Sequence, residues 1–162
     1  MKKVNSMAEF ILNGKKILAV DDEPDILEVL EGEILGTCPD CTFDKATAYE
    51  AAAKMLETPY DVVILDIMGV RGFDLLDLAV SRNMKVAMFT AHALNPQALE
   101  RSFKKGARAY IPKEKLGEIV PYLESILTTD YLPGWLYLLG KLMDFFDSKF
   151  EPGWKKKTSL PQ

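Results

Sequence analysis

An apolar run, Val62 to Leu65, ends abruptly in a carboxylate, Asp66, and Gly69 and Gly72 follow within six residues. Two more acids, Asp21 and Asp22, follow the strand-like segment Lys15–Val20. Thr90 closes the run Lys85–Phe89, and Lys113 comes soon after Ala107–Ile111. Three carboxylates brought to one place repel one another, so at neutral pH they require a cation or a shared proton. Oxygen-rich sites of this kind suit Mg²⁺, which keeps waters that phosphate oxygens can replace. A lysine and a hydroxyl donor beside such an ion complete a phosphoryl site, since phosphoryl transfer needs mainly positioning and charge neutralisation. Each acid taken alone also fits a humbler role: Asp22 or Glu23 before Pro24 suits a helix N-cap. The elements around these residues decide between the two.

Those elements alternate. The spacing predicts strands over Lys15–Val20, Thr42–Ala46, Val62–Leu65, Lys85–Phe89 and Ala107–Ile111, each followed by a helix. Pro24 opens the first helix, with Ile26, Leu27, Leu30 and Ile34 facing inward. Thr47 and Glu50 have capping-box spacing for the second. A third helix is predicted from about Phe73 to Arg82. Asn95 and Pro96 read as N-cap and first residue of the fourth, which Gly106 closes. The fifth starts near Glu118 with Pro121 in its first turn, where no helical hydrogen bond is lost. Five strand–helix alternations imply an α/β fold: a doubly wound parallel sheet with helices on both faces. Polar residues at the strand ends then share one crevice, where open α/β sheets bind ligands.

With 162 residues and 48% hydrophobic residues, the chain has material for one domain and an appendage. A net charge of −4 gives no electrostatic reason to bind nucleic acid. Residues 1–14 have a basic start but an apolar run of only Phe10, Ile11 and Leu12, too short for a signal peptide. They are expected to be a flexible leader on a cytoplasmic chain. Cys38 and Cys41 form one CxxC ahead of a strand, and His92 is the sole histidine. A redox pair belongs where a strand feeds a helix and a zinc site needs two more ligands, so an ordinary turn is expected here.

Residues 15 to about 127 resemble the receiver domain of two-component response regulators. The matching motifs are VDDEPD at Val20–Asp25, LDIM at Leu65–Met68, FTA at Phe89–Ala91 and GARAYIPKE at Gly106–Glu114. The resemblance implies a flavodoxin-like sheet of order 2-1-3-4-5. It implies that Asp66 is the phosphoacceptor for a sensor histidine kinase. Mg²⁺ would be held by Asp21, Asp22, Asp66 and the backbone carbonyl of Met68. Lys113 and Thr90 would contact the phosphoryl group, and Tyr110 would be an aromatic switch, its alternative role being a half-buried strand residue. Such a domain promotes its own phosphorylation and dephosphorylation and is a signalling module rather than an enzyme.

The chain departs from the family pattern in three places. Gly72 arrives six residues after Asp66 instead of eight, and Val70 replaces a proline in that loop. Glu114 follows Lys113 where a cis-proline is usual; a cis bond to a non-proline residue costs about 3–4 kcal/mol. Met68 and His92 stand two residues after the acid and two after the threonine, positions that in the family flank the path of the water that hydrolyses the phosphoaspartate. Met68 is expected to restrict that water and His92 to tune its access, against the simpler reading of His92 as an exposed loop residue.

Residues 129–162 lie beyond the resemblance and are expected to form an amphipathic helical extension with a loose tail. Trp135, Leu138, Leu139, Leu142, Phe145, Phe146 and Phe150 make a broad apolar stripe that something must cover. The candidates are the receiver itself, a second copy in a homodimer, or a membrane surface. Protein contact is favoured over the membrane, since Asp144, Asp147 and Glu151 oppose an anionic surface. The leading function is a response regulator that signals by contact with an unidentified protein target. The alternative is a pseudo-receiver, a phosphorylation-independent binding or dimerisation module. A phosphatase of another α/β family would need a second acid just after the nucleophile, where Ile67 and Met68 stand.

Overall fold

Burial on both faces explains why Val62–Leu65 is a central strand: all four side chains are withdrawn from solvent, as a strand between two layers of helix requires. The computed structural model describes residues 11–161. Its elements are β1 (Lys16–Val20), α1 (Pro24–Thr37), β2 (Thr42–Ala46), α2 (Tyr49–Met55), β3 (Val62–Leu65), α3 (Gly72–Ser81), β4 (Lys85–Thr90), α4 (Pro96–Lys104), β5 (Ala109–Pro112), α5 (Ile119–Thr128) and α6 (Tyr131–Lys149). A 3₁₀ turn, Lys113–Glu118, joins β5 to α5, and another spans Trp154–Lys157. The five strands are parallel and ordered β2-β1-β3-β4-β5. Helix α1 touches α5, and α2 touches α3.

Local chemistry sets most of the boundaries. The Asn95 side chain accepts from Ala98 N at 2.7 Å and caps α4, with Pro96 in its first turn. Pro121 sits in the first turn of α5, where it removes no helical bond. The expected Thr47–Glu50 capping box is not made. Helix α2 begins two residues later, with Ala48 at its N-cap and no side-chain cap bond. The backbone stays extended through Ala46, whose carbonyl accepts from Asp21 N at 3.1 Å.

Both ends of the described segment are held more firmly than expected. Residues 1–10 of the expected leader lie outside the described residues, but Leu12 is fully buried. Its carbonyl accepts from Lys15 N at 3.0 Å and from the Cys41 thiol at 2.9 Å. Cys38 and Cys41 are unbridged and buried behind this contact. Burial pushes the Cys41 thiol up to about 11, which makes it a poor nucleophile.

The apolar stripe of α6 is covered by the receiver itself. Trp135, Leu138, Leu139, Leu142, Phe146 and Phe150 join the single core that the sheet organises, each such side chain contributing about 1.5–3 kcal/mol of burial. Helix α6 lies on α5 and on β5, the edge strand of the sheet, and so shields an edge that would otherwise be open for pairing. Tyr131 donates to the Phe103 carbonyl at 2.5 Å, and the Trp135 indole donates to the Ala107 carbonyl. The residues expected to be a loose tail are also tethered. Ser159 donates through backbone N (2.8 Å) and hydroxyl to the Glu100 carboxylate on α4, and Leu160 is buried. Leu132, Leu136 and Tyr137 remain exposed on the outer side of α6. No helix among the described residues is long and apolar enough to cross a membrane.

Candidate functional site: an acidic crevice at the strand ends

Sheet register places the acids side by side. Val20 of β1 pairs with Leu65 of β3, so Asp21 and Asp66, one residue further on, leave the sheet together. Asp66 N donates to the Val20 carbonyl at 3.0 Å and closes the ladder there. Ligand oxygens of Asp21, Asp22 and Asp66 all lie within 4.8 Å of one another. On the other side, Thr90 of β4 pairs with Pro112 of β5, so Lys113 follows directly and turns back over the acids.

Lys113 offsets part of the negative charge in the crevice. Its Nζ is 2.7 Å from Asp21 Oδ2, 3.3 Å from Glu23 Oε1 and 3.4 Å from Asp66 Oδ2, and only 8% of its side chain is exposed. Burial works against the Lys113 ammonium, but the carboxylates of Asp21, Asp66 and Glu23 outweigh it and raise its pKa. Asp66 is 2% exposed. Burial first, and repulsion from Asp21 second, push its carboxyl up to about 6 against the pull of Lys113 and the Ile67 N–H. The Ile67 N–H donates to Asp66 Oδ1 at 2.9 Å. Asp21 Oδ1 accepts from Glu23 N at 2.9 Å, and its buried Oδ2 is the oxygen that Lys113 approaches to 2.7 Å. One lysine against three clustered carboxylates leaves a net negative set of oxygen donors that fits a hard divalent cation.

The loop after Asp66 is short, and two glycines let it close. Gly69 has φ +87°, and a Cβ on it would fall 2.3 Å from Asp22 Oδ2. A Cβ on Gly72 would fall 2.0 Å from the Asp66 carbonyl oxygen, and Gly72 N donates to the Ile67 carbonyl at 3.0 Å. Backbone therefore passes hard against the acids at both points, where no side chain fits. Met68, between Asp66 and Gly69, turns its side chain outward at 53% exposure. All described peptide bonds are trans, the Lys113–Glu114 bond included, and Lys113 reaches the acids without a cis turn. His92 is an exposed residue of the loop after β4.

Thr90 and Tyr110 form a separate chain of contacts leading away from the crevice. Thr90 is fully buried, and its Oγ1 accepts from Ala93 N at 3.1 Å. The Tyr110 hydroxyl donates to the Ala93 carbonyl at 2.5 Å and accepts from Asn95 N at 3.1 Å. Its ring is 2% exposed and lies 5.8 Å from that of Phe146 on α6. Sequence reasoning offered Asp22 or Glu23 as a helix cap and missed Glu23 as a partner of Lys113. It also missed the seat of Phe146 beneath Tyr110, for which the α6 stripe was the only available signal.

Solved structures share this architecture. The receiver domain described as BeF3-activated DrrB superposes with a TM-score of 0.62 at 19% identity, covering 71% of this chain and 98% of that one. A LuxR-family DNA-binding response regulator from Staphylococcus aureus gives 0.64 at 22%, covering 70% and 99%. A response regulator from Thermotoga maritima gives 0.63 at 19%, covering 71% and 98%. No curated protein sequence matches the chain. The sequence profile of the response regulator receiver domain matches residues 17–124, the stretch that builds the sheet, the acidic crevice and its lysine, and the chain belongs to that family.

Proposed function

We propose that the chain is a cytoplasmic phosphoacceptor response regulator that takes a phosphoryl group onto Asp66 from the phosphohistidine of a sensor histidine kinase. One observation carries the reading: Lys113 lies within 3.4 Å of Asp66 and 2.7 Å of Asp21, over a cluster of three carboxylates. Asp21, Asp22, Asp66 and the Met68 carbonyl would hold Mg²⁺, which neutralises charge on the transferring phosphoryl oxygens. An Asp66 carboxylate oxygen attacks phosphorus in line, the P–N bond to the donor imidazole breaks, and the imidazole leaves with the bonding pair. Lys113 pairs with the phosphoryl oxygens, and the Thr90 hydroxyl donates to one of them. The signal ends by hydrolysis, in which water attacks phosphorus and frees the Asp66 carboxylate and inorganic phosphate, and that water passes Met68 and His92. Met68 restricts that water, and His92 tunes its access; an unchanged phosphoaspartate lifetime in His92→Ala removes the role given to His92.

The pseudo-receiver alternative rests on the shortened loop after Asp66 and on the missing prolines, Val70 and Glu114 standing in their places. It is disfavoured because Gly69 and Gly72 let that loop close with the acids still clustered. Intact mass after incubation with acetyl phosphate and Mg²⁺ tests the reading. Wild type is expected to gain one phosphoryl group and Asp66→Asn none; a wild type that stays unlabelled defeats it.

A further inference from the structure

The end of the sheet opposite the acidic crevice carries charge of the other sign. Lys85 opens β4 and Thr90 closes it, so the two stand about 16 Å apart along the strand. At the Lys85 end, the last residues of α3 and α4 meet the start of α6 around a hollow of about 460 Å³, lined by Val80, Asn83, Met84, Lys85, Arg108 and Tyr131. That volume is in the range of small-molecule sites, and no carboxylate lines it. An adjoining hollow of about 350 Å³ shares Asn83 and Lys85 and adds Lys15 and one acid, Asp61, which already accepts from Lys16 N at 2.8 Å. Tyr131 lies outside the matched receiver stretch, residues 17–124, so the C-terminal extension supplies one wall of the larger hollow.

Two cations there lack a counter-charge. Neither Lys85 nor Arg108 belongs to an ion pair among the described residues. The Arg108 guanidinium spends one long bond, 3.4 Å, on the Thr129 carbonyl and lies 5.5 Å from the centre of the Tyr131 ring. Those contacts fix it at the joint between α5 and α6 and leave most of its N–H donors unspent. Both side chains are half-buried, so each has lost hydration without gaining a partner. Cations also gather at helix C-termini to meet the last carbonyls. Here backbone already meets them: Met84 N donates to the Ala79 carbonyl and Ala107 N to the Ser102 carbonyl, both at 3.0 Å.

We propose that this hollow binds a small organic phosphomonoester, its phosphate between Lys85 and Arg108. Two unit charges on one hollow match a dianion, and a phosphomonoester carries about −1.5 to −2 near neutral pH; a single carboxylate offsets only one of them. The planar guanidinium of Arg108 takes two phosphate oxygens as a fork, and the Lys85 ammonium takes the third as a point charge. Val80 and the nearly buried Met84 form an apolar floor for the organic body, and the Asn83 amide offers it a donor and an acceptor. Because Arg108 is held by Thr129 and Tyr131, a ligand bridging it to Lys85 ties the start of the extension to the strand that ends in Thr90.

The site is independent of phosphoryl transfer at Asp66, and its test keeps the two apart. The full chain is titrated by calorimetry, in EDTA and at low ionic strength, with adenosine monophosphate, ribose 5-phosphate, adenosine and inorganic phosphate. At least one of the two organic phosphates is expected to bind about tenfold or more tighter than both adenosine and inorganic phosphate. A preference for adenosine monophosphate assigns the organic body to a nucleoside, and the absence of that preference assigns it to a sugar phosphate; either supports the site. Lys85→Gln, which removes a side chain with no ion pair of its own, is expected to weaken binding about tenfold, and Arg108→Gln by as much or more. Lys85→Gln decides if Arg108→Gln fails to fold. Asp66→Asn is expected to bind as tightly as wild type. The proposal is overturned if neither organic phosphate binds, if inorganic phosphate binds as well as they do, or if affinity is unchanged in Lys85→Gln. Loss of binding in Asp66→Asn overturns it too, by moving the ligand to the acidic crevice.

Discussion

Gly72 lies so close to Asp66 that a Cβ on the glycine would fall 2.0 Å from the carbonyl oxygen of the acid. The opposing atom is backbone inside the first turn after β3 and cannot swing aside. Gly72→Ala is therefore expected to destabilise the fold by about 2–4 kcal/mol, well above the usual cost of glycine-to-alanine exchange in a helix. Urea denaturation measures it. A variant as stable as wild type would show that the loop has room the structure denies it.

Asp66 carries a destabilising charge. Aspartate ionises near 3.8 when unperturbed and near 6 in the folded site, so the folded state holds this proton more tightly. Between those values folding takes up a proton, and the Asp66 contribution to stability rises as pH falls through about 6. At neutral pH the ionised, buried carboxylate is a standing penalty. Asp66→Asn is expected to be more stable than wild type by about 1–3 kcal/mol near pH 7.5, with the gap narrowing as pH is lowered through 6. Denaturant midpoints across that pH range, in buffer free of divalent ions, test the sign and the trend together.

A divalent ion should relieve the same penalty. Mg²⁺ at about one hundred times its dissociation constant adds about 2.7 kcal/mol to a protein that binds it only when folded. Wild type is expected to melt higher in MgCl₂, and Asp21→Asn and Asp22→Asn to respond much less. An equal rise in all three proteins would place the ion elsewhere.

Lys113 is the counter-charge when no ion is bound. Lys113→Met keeps an apolar stem but leaves Asp21 and Asp66 facing each other in a buried crevice. Loss of one partner from a buried ion pair costs about 3–5 kcal/mol. The variant is expected to lose stability on that scale at neutral pH, and to recover part of it in MgCl₂ or at a pH low enough to protonate Asp66. Urea melts with and without Mg²⁺ at two pH values make the comparison.

Much of the fold was legible because its signals are local. The all-apolar run Val62–Leu65 meant a strand buried on both faces, and Asn95–Pro96 meant a helix start; the structure has both. The Thr47–Glu50 capping box failed because a local signal can be overruled by the path of the neighbouring strand. The strength of the chain ends was illegible for a different reason. Leu12 ends an apolar run of only three residues and Leu160 stands alone among polar ones, and only tertiary contacts bury them.

By itself the sequence determined the alternation of strand and helix, and with it the crevice to which Asp21, Asp22, Asp66 and Lys113 belong. Those follow from period and order along the chain. Tertiary structure alone decided where Lys113 points, how a shortened loop closes on two glycines, and which surface covers the stripe of α6. Each of these depends on how side chains from distant segments share one small volume, and the seat of Phe146 beneath Tyr110 is the clearest case.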